Sequence, residues 1–317
     1  MNKKSIAIII SFIFSMSVSA KGYLKYSSAA DYFSIVDSLS DFNSGKKNEL
    51  SKNWILSNKL SLEDKNHLNN FFEIRNKFKK SNSEFDRFSI SFYRAKSIDE
   101  AMKNLKKVIK KNELKKVVSV FRHFKNNASK LLSESIEFRG KVSQLDKSLK
   151  KNKVFKAYEN GFKYFGLKKT YKTKVFFLWW PKGKSPKVEV IQNIVFIKIH
   201  PQSNLSEVIN SRFILDQMIS SLFTSISPTQ KQNFEKTIFE SCEKDLIYPV
   251  LTFAMGELSY QRLRMKKKFD PFVDNLKSKK ANSLAIMLEH LYQLELKSKR
   301  KFYGEFANKV KFVCSQS

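Results

Sequence analysis

Apolar residues recur with helical spacing over most of residues 28–165. Leu62, Leu68, Phe71, Phe72 and Phe78 form one set of apolar positions. Ile98, Met102, Leu105 and Ile109 form a second, with Lys103, Lys106, Lys107 and Lys110 on the other face. Leu114, Val117, Val118, Phe121 and Phe124 form a third. Ser61 reads as the N-cap of the first helix, and Glu63 and Asp64 sit in the first turn, where the positive end of the helix dipole favours acids. Near residue 170 the pattern changes. Thr173 to Trp180 (TKVFFLWW) and Val188 to Ile199 (VEVIQNIVFIKI) are β-branched and aromatic. They predict two strands, which the turn Pro181 to Pro186 would join as a hairpin. Pro201 ends the second. Helical spacing resumes at about 204–224, 228–241, 248–264, 281–296 and 298–312, with start signals at Ser206, Ser227 and Pro228. The expected fold class is mainly α with a small β element (α+β).

The first twenty residues set a compartment. Lys3 and Lys4 precede an apolar run from Ile6 to Val18, and Val18-Ser19-Ala20 supplies small residues before a cut. That is the pattern of a secretory signal peptide, too short to span a bilayer comfortably. The expected organisation is a signal peptide over 1–20, a basic helical region over 21–170 and an α+β region over 171–317. No later run of 18 apolar residues exists, so the mature chain is expected to be exported, periplasmic or extracellular, without a transmembrane segment. Eight glycines and six prolines in 317 residues favour long helices over a turn-rich β-fold. The two cysteines, Cys242 and Cys314, belong to no CxxC or Cys/His cluster. In an oxidising compartment they are a candidate disulfide that would tie back the C-terminal tail.

Charge changes the picture most. The chain carries 60 basic and 29 acidic residues. Residues 101–180 alone hold 22 basic and 5 acidic side chains. Such a field attracts nucleic acid, anionic lipid or acidic polymers, with Lys103, Lys106, Lys107 and Lys110 as candidate contacts. Lysine-rich helices of this kind are more often core-facing helices with a solvated polar face, and only nine of the 60 basic residues are arginine, the residue suited to bidentate phosphate recognition. The four histidines, His67, His123, His200 and His290, lie far apart in sequence, and none has a partner three or four positions further on. They read as separate surface or cap residues, the alternative being a composite site assembled by the fold. Acidic pairs such as Glu63/Asp64 and Asp99/Glu100 read as caps and i,i+4 partners rather than a glycosidase dyad. GxSxG, P-loop and GxGxxG motifs are absent. In Trp179-Trp180 a strand would place one ring on each face, so that one ring near Lys182 and Lys184 would be open to stacking.

The words IVFIKIHP, SRFILDQMISSLF, SPTQKQNFEKTIFES and LIYPVLTFAMGELSYQ follow one another as strand, helix, helix and helix. In order and flavour this stretch, about residues 173–260, resembles the HExxH zinc metallopeptidases of the gluzincin type, especially exported bacterial proteins of that kind. The resemblance implies two zinc-binding histidines one helical turn apart, a glutamate general base between them and a glutamate ligand on a later helix. Here the HExxH slot reads Asp216-Gln217-Met218-Ile219-Ser220, and the later ligand falls near Pro249. Glutamine accepts no proton at neutral pH, and proline's side chain offers no ligand atom. The resemblance therefore implies a pseudo-peptidase without zinc or other cofactor, its groove binding a peptide or protein partner by shape and β-edge pairing. The alternatives are a lysine-rich polyanion- or anionic-membrane-binding envelope protein, and an enzyme with an unrecognised site.

Overall fold

A computed structural model describes residues 23–41, 60–79, 86–93, 95–133, 135–180, 185–191, 193–265, 276, 278–302 and 304–316. The expected signal peptide, Lys182 and Lys184 lie outside the described residues. The chain divides into two compact units, 1–133 and 134–317, so the change of pattern near residue 170 falls inside the second. Both are mostly helical, with four short strands among the described residues.

The first unit holds β1 (Leu24–Tyr26) and the helices α1 (Ser28–Ser40), α2 (Leu62–Asn76), α3 (Arg87–Tyr93), α4 (Ile98–Leu105), α5 (Lys111–His123) and α6 (Lys125–Ser133). Its core is aromatic. Phe33 stacks on Phe92 at 4.6 Å, Phe92 on Phe121 at 5.1 Å, and Phe71 and Phe88 close the cluster edge-on. The Tyr32 hydroxyl donates to the Phe121 carbonyl, joining α1 to α5 at 2.6 Å. One cation is buried here. Arg75, 3% exposed, donates to Asp37 at 3.1 Å and Asp86 at 2.6 Å, with its guanidinium 5.6 Å from the rings of Phe33 and Phe88. The Ser61 cap forms as a full capping box with Asp64. Leu62 departs from the sequence reading: it is exposed, because it begins α2 six residues before the first core position, Leu68, which puts it about 240° round the helix from that face.

The second unit opens with α7 (Ser135–Lys151) and α8 (Val154–Tyr164), then β2 (Lys174–Trp179), β3 (Lys187–Ile191) and β4 (Ile194–Ile199). The run Val188–Ile199 is two strands rather than one. β3 and β4 are the antiparallel hairpin, and β2 pairs with β4 in parallel, Lys174 opposite Ile194 through Trp179 opposite Ile199. β3 therefore lies at one edge of the sheet. The second half of the run was legible as strand because β4 is buried on both faces, which demands continuous apolar sequence. Of the tryptophans, Trp179 is buried and Trp180 half-buried, with the Lys198 ammonium 5.7 Å from its ring.

The chain continues through α9 (Leu205–Val208), α10 (Ser211–Ser225), α11 (Pro228–Ile238), α12 (Lys244–Phe253), a π turn over Ala254–Leu258, α13 (Ser259–Met265), α14 (Lys279–Lys297) and α15 (Gly304–Ser315). α10 packs against β3, β4, α8, α12 and the π turn. Two glycines permit the closeness: a Cβ on Gly161 would lie 3.1 Å from Ile219 and Leu222, and one on Gly256 would lie 3.3 Å from Leu215. The Thr173 N–H donates to the Tyr158 hydroxyl at 2.7 Å, and the Thr173 and Ser221 hydroxyls share a hydrogen bond, so α8, β2 and α10 meet through polar groups that are all satisfied. Cys242 and Cys314 form a disulfide with Cα atoms 5.2 Å apart, pinning α15 beside the end of α11.

Candidate functional site

Asp216, Gln217 and Ser220 fall within about one turn on the half-buried side of α10, while Ile214, Leu215, Met218 and Ile219 face the core. Asn210 caps the helix by accepting from the Phe213 N–H at 2.8 Å. Pro249 lies inside α12, where its ring supplies no polar atom and only its carbonyl is used, accepting from Thr252 at 2.9 Å. The acidic neighbour of α10 is instead Glu257, eight residues later and in the π turn. It is buried and accepts from Gln261 at 3.0 Å and Ser211 at 3.4 Å. Sequence reasoning missed Glu257 because the resemblance put the later acidic position near Pro249, eight residues earlier. Asp216 has Arg212 at 3.8 Å, and its Oδ1 makes no hydrogen bond among the described residues. Burial pushes its carboxyl up to about 7; Arg212 opposes that and the negative charge of Glu257 adds to it. Arg212 is also drawn aside, its guanidinium 4.7 Å over the Phe253 ring. The arrangement offers a protonatable carboxyl, an amide and a hydroxyl: hydrogen-bonding groups, with no imidazole among them.

The histidines do not all stay apart. α2 and α5 pack side by side and bring His67 onto His123, rings stacked at 4.2 Å. This corrects the reading of four separate histidines. Asp64 accepts from Ser61 through its N–H and its hydroxyl, both at 2.8 Å, and from His123 Nε2 at 2.6 Å. Desolvation raises the Asp64 pKa, but the hydrogen bonds from His123 and Ser61 outweigh it and leave the group below the usual carboxylate range. An ionised carboxylate only accepts, so His123 Nε2 carries the proton. His123 Nδ1 lies 3.7 Å from Glu63 Oε1, and His67 Nε2 lies 3.8 Å from the same oxygen. Burial, then the neighbouring His123, lower the His67 pKa and favour its neutral ring; the nearby Glu63 and Asp64 pull the other way. Glu63, His67 and His123 each offer one ligand atom within 4.8 Å of the others. The local signal was present in sequence as Glu63-x-x-x-His67, with the partner four residues before the histidine; His123, 56 residues on, carried none.

The remaining sites are dispersed. His200 is buried and its Nδ1 accepts from the Gln202 N–H, and His290 is exposed on α14. Lys103, Lys106, Lys107 and Lys110 are all exposed at the end of α4 and in the turn before α5. No helix among the described residues is long and apolar enough to cross a membrane. No protein-family model, curated protein or solved structure matches this chain.

Proposed function

We propose that the chain is an exported, non-catalytic binding protein of the cell envelope, built on a peptidase-like C-terminal half that has lost its zinc. The observation that carries this reading is the row Asp216, Gln217, Ser220 on α10, a helix that packs against β3 and β4, with β3 at the sheet edge. An edge strand offers backbone hydrogen bonds to an extended peptide, and a protonated carboxyl, an amide and a hydroxyl beside it are donors and acceptors rather than a hydrolytic apparatus. The partner is then a peptide segment bound in extended form. The test uses the mature chain with fluorescent extended peptides. Binding that weakens in Gln217→Ala and Ser220→Ala, with no turnover of quenched peptides with or without zinc, is the expected result. Zinc-dependent hydrolysis abolished by Asp216→Asn would refute it.

A second reading rests on the lysines. Lys103, Lys106 and Lys107 are exposed and form no ion pair among the described residues, which suits contact with a polyanion. Heparin or duplex DNA binding should then weaken steeply with salt, and the slope should fall when Lys103, Lys106, Lys107 and Lys110 are changed to Gln together.

A further inference from the structure

We propose that Glu63, His67 and His123 form a site for one divalent transition-metal ion of the zinc class, bridging α2 and α5 and independent of the peptide reading above. Three observations converge on it. The donor set is two imidazoles and one carboxylate, which suits zinc and its Irving–Williams neighbours and is too nitrogen-rich for calcium or magnesium. The Glu63 oxygen stands 3.7 and 3.8 Å from one nitrogen of each histidine. Ligand atoms on a tetrahedral zinc are about 3.3 Å apart, so each Glu63–histidine separation must shorten by roughly half an ångström. The two imidazole nitrogens, within 4.8 Å of one another, must draw together as the stacked rings splay to point both lone pairs at the ion. The third observation is Asp64. It accepts the hydrogen bond from His123 Nε2–H and thereby leaves the Nδ1 lone pair turned to the Glu63 side. A carboxylate bound to the far nitrogen of a histidine is the usual outer partner of a metal-binding imidazole, fixing its tautomer and its plane.

Asp64 is itself immobilised by the capping box, so the chain of support runs from the N-terminus of α2 through Asp64 to the last turn of α5. The three ligands leave one tetrahedral position for water or an exogenous donor. A capping and ion-pair cluster alone would account for Asp64 and His123. It leaves unexplained why the second imidazole lies against the first with Glu63 facing both.

The experiment is titration of the chelator-stripped mature chain, purified without a metal-binding tag, with Zn(II) by calorimetry and with Co(II) by visible absorption. One equivalent bound at micromolar affinity or better, with ligand-field bands in the Co(II) form, is expected. Glu63→Gln, at a side chain 73% exposed and therefore harmless to folding, should weaken Zn(II) at least about tenfold. His67→Ala combined with His123→Ala should abolish binding, and Asp64→Asn should cost about 10–100-fold. Asp216→Asn should leave the affinity unchanged, which separates this site from α10. Failure of the wild-type chain to bind Zn(II) below about 100 μM, or binding indifferent to both Glu63→Gln and the double histidine variant, overturns the proposal.

Discussion

The two units handle a buried charge differently. In the first, Arg75 sits between Asp37 and Asp86 and over two phenylalanine rings, so the cation is compensated by carboxylates held in fixed geometry. In the second, Asp216 meets a distant Arg212 and the charge of Glu257, and it is compensated by keeping its proton up to about pH 7. An ion pair holds its geometry through the neutral range. A retained proton makes the site respond to pH. The first arrangement suits a fixed support for the helices around it; the second suits a surface that changes its donors and acceptors when something binds.

The contrast breaks most sharply at Arg75. Arg75→Ala takes the buried cation from the part-buried carboxylates of Asp37 and Asp86, Asp37 keeping Lys79 at 3.8 Å, and urea denaturation should show a loss of about 3–5 kcal/mol. Arg75→Met, which keeps the volume and removes the charge, should remain well below wild type while Asp37 and Asp86 stay, and recover when both become Asn. Next comes the covalent tie, which among the described residues only the second unit has. Reducing Cys242–Cys314, or replacing both by Ser, frees a loop spanning 72 positions and should cost about 2–4 kcal/mol, read as a lower melting temperature that reductant no longer changes. The smallest effect is the pH response. Because the folded pKa of Asp216 lies above its ordinary 3.8, the folded chain holds the extra proton. Its contribution is full below the ordinary value, falls as pH rises from about 4 to 7, and is flat beyond. The shift corresponds to about 4 kcal/mol, discounted to roughly 2 kcal/mol for partial exposure to solvent. Stability measured from pH 4 to 8 should carry this fall, and Asp216→Asn should remove it while raising stability at pH 8. An unchanged profile in Asp216→Asn would erase the distinction between the units.

What could be read from sequence follows the range of each interaction. The mainly α character, the Ser61 and Ser227 caps and the buried strand β4 depend on neighbours in the chain, and all were legible. The parallel partnership of β2 and β4 was not, because side-chain pattern records burial and not strand direction. Of the metal cluster, Glu63 and His67 share one helix and announce themselves by spacing, whereas His123 enters through the packing of α5 on α2. Glu257 was hidden for another reason: the resemblance drew the acidic position to Pro249, eight residues before the π turn's glutamate.

That π turn also records how this stretch tolerates change in length. A π turn is what one extra residue leaves in an α-helix. Because the wider turn absorbs that residue locally, losing one residue between Ala254 and Leu258 would restore ordinary winding and leave the phase of everything after it unchanged. Tyr260 would stay in the interior, and Arg262 would keep the buried Glu289, to which it donates twice at 2.7 and 2.6 Å. A single deletion in the regularly wound α14, by contrast, would rotate everything after it by about 100°, so this segment should accept the loss of one residue more readily than the helices around it.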